Sequence, residues 1–277
     1  MSEFRFQRRY CGPIKAVVLD WAGTTVDFGS RAPVLAVVEA FRRSDVPVTL
    51  EEARGPMGMA KRDHLRAMLQ IPEVRDRWQQ IYRRAPNEED VERLYRQFLP
   101  LQKEVLANHS QLIAGCLEAM EKCRSRGIRI GSSTGYTREL MDVLVPIARA
   151  QGFEPEAIVC ASDVSPGRPA PWMCLENARR LGVYPMESMV KVDDTIVGIE
   201  AGLNAGMWAV GVARSGNLVG LSEEELRQLP EGEQAALVET ATAKLYAGGA
   251  HYVIDTIADL PRVLEQIGEL LKHGERP

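Results

Sequence analysis

The stretch Ile14-Lys15-Ala16-Val17-Val18-Leu19-Asp20-Trp21-Ala22-Gly23-Thr24-Thr25-Val26-Asp27 decides the fold. Ile14 to Leu19 is almost continuously apolar, which suits a central strand covered on both faces rather than one with a solvated side. Asp20 then stands at the strand's carboxyl end. In open parallel sheets that edge is where ligands bind, so the polar residues that follow each strand become the first candidates for chemistry.

Outward from this stretch the pattern divides. From residue 110 onward, short β-branched runs (Ile128 to Gly131, Ala157 to Cys160, Met189 to Val192, Met207 to Val212 and His251 to Ile254) alternate with helical patterns. That spacing predicts an α/β fold, a doubly wound parallel sheet. Residues 29–106 instead read as helix after helix with no convincing strand. Val34, Val38 and Phe41 make one apolar face and Leu65, Met68 and Leu69 another, while Pro47, Pro56, Pro72, Pro86 and Pro100 divide the region into several short helices. The expectation is an α-helical cap domain at 29–106 inserted into a core of residues 1–28 and 107–277.

Composition narrows the function. The 277 residues carry a formal net charge of -4 and no concentrated basic run, which argues against a nucleic-acid partner, since affinity for a phosphate backbone comes from clustered Lys and Arg. Met1 to Tyr10 is charged and lacks a signal-peptide apolar stretch, and no apolar run approaches the roughly 20 residues of a membrane span. A soluble cytoplasmic protein with no membrane association is expected. Cys11, Cys116, Cys123, Cys160 and Cys174 include no Cys-x-x-Cys pair, so reduced and mostly buried cysteines are expected, with neither a disulfide framework nor a zinc site.

Chemistry-bearing residues recur at the strand ends. Asp20 opens Asp20-Trp21-Ala22-Gly23-Thr24-Thr25-Val26-Asp27, where a carboxylate, already ionised at neutral pH, can act as a nucleophile without a base. A capped turn would use the same residue types. In the helical region, Gly55-Pro56-Met57-Gly58-Met59-Ala60-Lys61-Arg62-Asp63-His64 places His64 three residues after Lys61, on one helical face, where it can relay a proton to or from the amine. Gly131-Ser132-Ser133-Thr134-Gly135-Tyr136-Thr137 follows a strand and offers hydroxyls and successive backbone N–H groups to an anion. Gly167-Arg168-Pro169-Ala170-Pro171-Trp172 presents a bidentate cation before a helix. Val192-Asp193-Asp194-Thr195 closes another strand with two hard carboxylates of the kind magnesium prefers.

In this order the segments resemble the haloacid dehalogenase superfamily, whose first motif leads with the nucleophilic aspartate. The cap segment around Lys61 closely resembles the one by which the phosphonoacetaldehyde hydrolase family supplies a Schiff-base lysine. Most phosphatases of the superfamily carry a second aspartate two residues after the nucleophile. Here that position is Ala22, as in the phosphonoacetaldehyde hydrolases, and an alanine cannot protonate a leaving group. The likeness runs from Ile14 to about Ile254.

It implies hydrolysis of the C–P bond of phosphonoacetaldehyde to acetaldehyde and phosphate, through a Lys61 Schiff base and an Asp20 aspartyl-phosphate. It further implies catalytic roles for His64, Thr134 (with Ser133 as substitute) and Arg168, and substrate contacts from Met57, Gly135 and Tyr136. Mg2+ would be held by the Asp20 carboxylate, the Ala22 carbonyl and Asp194, with Asp193 the neighbouring alternative. Many relatives carry an acidic residue four positions beyond the one matching Asp194; this chain has Gly198 there, and Asp193 or Glu200 is expected to compensate. A homodimer through the cap is expected from the family. The competing readings are a phosphatase or phosphomutase of the same superfamily, which would not need Lys61, and a catalytically silent member that binds a phosphorylated ligand, which would not need Asp20.

Overall fold

In chain order the structure, a computed structural model that describes residues 9–277, runs β1 (Ala16–Leu19), α1 (Arg31–Arg42), α2 (Leu50–Arg54), α3 (Lys61–Gln70), α4 (Pro72–Tyr82), α5 (Glu88–Leu106), α6 (Cys116–Ser125), β2 (Arg129–Thr134), α7 (Arg138–Ala150) and β3 (Ala157–Cys160). It continues through α8 (Trp172–Leu181), β4 (Met189–Asp193), α9 (Ile196–Asn204), β5 (Trp208–Val212), α10 (Glu223–Gln228), α11 (Glu231–Ala247), β6 (Tyr252–Ile254) and α12 (Leu260–Lys272). Most of the Met1 to Tyr10 stretch lies outside the described residues. No helix among them is long and apolar enough to cross a membrane.

The six strands form one parallel sheet in the order β3-β2-β1-β4-β5-β6. All four residues of β1 are buried, as the near-continuous apolar run requires of a strand with helices on both faces. The chain winds from β1 to β2 and β3 on one side and then crosses to β4 on the other, so a crevice opens at the carboxyl ends of the strands beside β1. Leu19 pairs with Ser132 of β2 and with Val192 of β4. One step further along the register, Asp20 stands level with Ser133 and Asp193.

Six α-helices and no strand lie between β1 and β2, five of them, α1 to α5, within residues 29–106. In α3, Leu65, Met68 and Leu69 are buried as the apolar spacing predicts. In α1 the buried face is Val34, Val37 and Phe41, with Val38 half-buried at its margin, because helical spacing sets both 37 and 38 near the face that 34 and 41 define. Pro100 does not end a helix. It lies inside the long α5, where its exposed ring costs one backbone hydrogen bond while the packing of Leu94, Phe98 and Leu101 holds the rest together.

β2 continues past the expected end at Gly131 to Thr134, since its pairing with β3 runs on from Gly131 with Ala157 to Thr134 with Cys160. All five cysteines are free; four are buried and Cys11 is exposed. Leu19→Ala at the centre of the sheet is expected to cost about 2–5 kcal/mol by leaving a cavity among fully buried neighbours. Urea unfolding measures this, and a loss under about 1 kcal/mol would contradict the central placement of β1.

Candidate active site

Beyond β1 the ladder continues by one bond, from the Asp20 N–H to the Val192 carbonyl at 2.9 Å. The chain then turns back on itself. The Thr25 and Val26 N–H groups both donate to the Trp21 carbonyl, at 2.8 and 3.0 Å, and the Thr25 hydroxyl donates to the Asp20 carbonyl at 3.0 Å. Trp21 is fully buried edge-on against Phe153, ring centroids 5.2 Å apart. These contacts fix the backbone of Asp20 and leave its carboxylate at the sheet edge.

A buried cation faces it. Arg168 Nη2 donates to Asp20 Oδ1 at 2.6 Å and to the carbonyl and hydroxyl oxygens of Ser133 at 2.8 and 3.1 Å. Its Nη1 lies 3.2 Å from Asp193 Oδ2. No hydrogen bond among the described residues engages Asp20 Oδ2. Alternation along β2 separates neighbouring side chains: Ser133 is spent on Arg168, whereas Thr134 lines the cavity. The Thr134 hydroxyl accepts the Tyr136 N–H at 3.1 Å, which leaves its proton for another acceptor.

Lys61, the first residue of α3, is brought against this edge. Its Nζ lies 4.0 Å from Met57 Sδ and 5.2 Å from the Tyr136 ring centroid. Burial pushes the amine down to about 8, the Arg168 charge adds to the effect, and Asp20 and Asp194 oppose it. Gly135 lets the two halves meet: a Cβ there would stand 2.8 Å from the Met59 carbonyl oxygen, so a side chain would lift the Lys61 segment off the sheet edge.

Asp20, Ala22, Met57, Lys61, Thr134, Gly135, Tyr136, Arg168 and Asp194 thus line one small cavity of about 20 Å³, room for little more than a water. His64 is buried outside that wall. Its Nε2 sits 3.0 Å from the Ala53 carbonyl, which can only accept, so Nε2 is assigned the proton and the buried Nδ1 is left without a partner. Burial and the Lys61 charge hold the ring down to about 3, so it is neutral near pH 7.

Asp20, Asp193 and Asp194 each bring an oxygen within 4.8 Å of the others, all buried. Their surroundings separate their uses. Asp193 is already engaged: Oδ1 accepts the Thr195 N–H and hydroxyl at 3.0 and 2.7 Å, and Oδ2 accepts Lys191 Nζ at 2.7 Å. Burial alone would raise its pKa; Arg168 and Lys191 together hold it below the usual carboxylate range. Asp194 is the opposite case. Its Oδ1 is buried with no partner, and burial, with Asp20 and Asp193 close by, pushes its carboxyl well up. A hard divalent cation fits at Asp194 and Asp20, where it would relieve both the orphaned oxygen and the repulsion, and Ala22 lines the same cavity. Of the two neighbours, Asp193 is engaged by Arg168 and Lys191, and Asp194 is the one with an oxygen to spare.

The structure also accounts for Gly198. A Cβ there would fall 2.0 Å from the Asp193 carboxyl carbon, so the two positions address the same point in space. Asp193 fills it; Glu200 on α9 does not line the cavity. Residues that the sequence reading passed over include Ser30, Pro33, Gly58 and Thr195 in the cavity wall. Lys191, wholly buried in the middle of β4, was also missed; a lone cation inside an apolar strand was the available signal.

The sheet, its order and this constellation define a class: the chain belongs to the haloacid dehalogenase-like hydrolases, whose family model matches residues 14–206. More narrowly it falls among the phosphonoacetaldehyde hydrolases. It is 47% identical over 277 residues to the phosphonoacetaldehyde hydrolase of Syntrophobacter fumaroxidans, covering 100% of both chains. To that of Paraburkholderia phytofirmans it is 49% identical over 264 residues, 95% of this chain and 99% of the other. A solved structure of a phosphonoacetaldehyde hydrolase-like protein from Oleispira antarctica matches with a TM-score of 0.97 at 44% identity, covering 100% of each chain. The putative β-phosphoglucomutase of Bacteroides vulgatus, at 19% identity and a TM-score of 0.63 over 94% of this chain and 91% of its own, shares the fold alone.

Asp193→Gly is expected to cost about 3–5 kcal/mol, because it strips a partner from two buried cations, Lys191 and Arg168. Adding Gly198→Asp to that variant should recover part of the loss in urea unfolding, since it returns a carboxylate to the same place. A further loss would contradict the shared position.

Proposed function

We propose that the protein hydrolyses the C–P bond of phosphonoacetaldehyde, with Lys61 as the imine-forming amine and Asp20 as the nucleophile. The observation that carries this reading is that a buried lysine from the helical insertion and the carboxylate at the end of β1 share the wall of one small cavity. Names borne by relatives 47% identical over the full length agree with it. Residues 29–106 act as a cap over the core of residues 1–28 and 107–277. A cavity of about 20 Å³ is a closed state, so the cap opens to admit substrate and shuts to exclude bulk water.

The Lys61 amine adds to the aldehyde and loses water to give an imine, which is protonated at nitrogen. Asp20 attacks phosphorus through the oxygen that Arg168 leaves free. The C–P bond breaks, and its electron pair moves into the imine to leave an enamine on Lys61 and an aspartyl-phosphate on Asp20. The enamine takes a proton at carbon and water releases acetaldehyde, while a second water releases phosphate from Asp20. Arg168 and the Thr134 hydroxyl donate to the phosphoryl oxygens. Mg2+, held by Asp20, Ala22 and Asp194, supplies charge neutralisation when bound. Met57 and Tyr136 wall the aldehyde, and His64, held neutral outside the cavity, adds no positive charge beside the amine.

Ala22 fits this chemistry, because the electrons leave onto carbon conjugated with the imine and no leaving oxygen needs a proton from that position. Lys61→Ala is expected to lose at least roughly a thousandfold in kcat/KM on phosphonoacetaldehyde, as removal of a covalent catalyst does. Retained turnover would contradict the reading, and faster turnover of a small phosphate ester by the wild type would favour a phosphatase.

Because imine formation needs the free amine, kcat/KM should rise with pH through about 8 and level off above it, following Lys61. An ordinary lysine would keep the profile climbing to about 10.4. A profile flat from pH 6 to 9 would contradict the assignment.

A further inference from the structure

The loop that follows β5 touches both halves of the site. Asn217 donates its backbone N–H to Asp194 Oδ2 at 2.7 Å. Its side chain exchanges two hydrogen bonds with Arg54 at the end of α2. Arg54 Nη1 donates to Asn217 Oδ1 at 3.0 Å, and Asn217 Nδ2 donates to the Arg54 carbonyl at 3.3 Å. The guanidinium also reaches the Gly29 carbonyl at 2.9 Å and the Gly220 carbonyl at 2.6 Å. Asn217 is only 4% exposed.

Each end of this connection leads to a group the proposed reaction needs. The Arg54 carbonyl also accepts the Met57 N–H at 3.1 Å, and from Met57 the chain runs into Lys61. At the other end, the Asn217 N–H occupies Oδ2 of Asp194 while Oδ1 is left unpartnered beside the cavity. The same loop is tied to the nucleophile's turn, since the Ser215 hydroxyl donates to the Gly23 carbonyl at 2.9 Å and the Gly29 N–H donates to the Ser215 carbonyl at 2.8 Å.

We propose that Arg54 and Asn217 are positioning residues that couple docking of the Lys61-bearing segment to the cation affinity of Asp194. Lifting the cap withdraws Arg54 from three oxygens of the core at once, that of Gly220 and both of Asn217. The loop then loses its anchor, and Asp194 loses the N–H that sets its free oxygen. The converse holds by linkage: a cation that fixes Asp194 stabilises the loop, and so the docked cap, by the same factor. The amine and the charge-neutralising centre are thereby assembled together.

This inference rests on Asp194 being a cation ligand, and the experiment separates the two claims. Mg2+ binding is measured calorimetrically on the full chain without substrate, for wild type, Asp194→Asn, Asn217→Ala, Arg54→Lys and Asn217→Ala/Arg54→Lys, with thermal unfolding confirming that each is folded. Amide hydrogen exchange over residues 50–61 is followed with and without Mg2+. Asn217→Ala keeps the backbone N–H and removes only the side-chain bonds to Arg54.

Asp194→Asn should abolish binding. Asn217→Ala and Arg54→Lys should each weaken it about tenfold, as changes behind a ligand do, and the double variant should be no weaker than the weaker single one. Mg2+ should slow exchange over 50–61 in the wild type but not in Asn217→Ala. Should Asn217→Ala not fold, Arg54→Lys, which keeps the charge and loses the fork, carries the same comparison. Wild-type affinity and wild-type Mg2+-dependent protection in these variants, with Asp194→Asn inactive in binding, would overturn the coupling alone. Undiminished binding by Asp194→Asn would overturn the cation site and the coupling with it.

Discussion

Arg168 lies buried between two carboxylates, 2.6 Å from Asp20 and 3.2 Å from Asp193. The rest of the site is arranged around that bridge. Without it two acids at the end of a buried sheet would face each other in a medium that penalises charge, and at least one would take up a proton. With it, Asp20 keeps one oxygen engaged and one free, although burial and the neighbouring Asp193 still push its carboxyl above the usual value and Arg168 only moderates that rise. Lys191 completes the arrangement, its ammonium on Asp193 and its stem packed against Gly202 of α9. Such a network is weak evidence for stability, since desolvation offsets much of the attraction, but it makes the loss of any single member costly.

The same burial serves the amine. A lysine in water stays protonated and cannot capture an aldehyde. Lys61, buried and within reach of the positive Arg168, is pushed toward its neutral form, while Asp20 and Asp194 keep the shift moderate. A pKa near the working pH lets one group be nucleophile when free and electron sink once it is a protonated imine. On the proposed reading closure is part of the chemistry, because the segment that carries Lys61 also shields its charge from bulk water.

Much of this was legible in the sequence, and the illegible parts share a cause. Asp20 could be read because an unbroken apolar run ends on it, and Thr134 because a strand signal precedes it. Whether Thr134 or Ser133 faces the cavity depends on where β2 ends; pairing with β3 carries the strand three residues beyond the expected limit and sends Ser133 to Arg168. Asp193 and Asp194 are indistinguishable as letters. Only the neighbours, Lys191 and Arg168 around one and an orphaned oxygen on the other, tell them apart. Gly198 read as a missing acid, whereas in space it is the vacancy that Asp193 occupies. Arg54 and Asn217 left no local trace, because their partnership spans 163 residues and is made by folding alone.

The central claim is that an aldehyde-capturing amine from the cap and a phosphorus-attacking carboxylate from the sheet work in one cavity. Borohydride reduction in the presence of phosphonoacetaldehyde, followed by peptide mass mapping, tests it most directly. The account predicts a stable reduced adduct on Lys61, formed by the wild type and absent without substrate. No adduct on a folded protein, or one on another lysine, would contradict it.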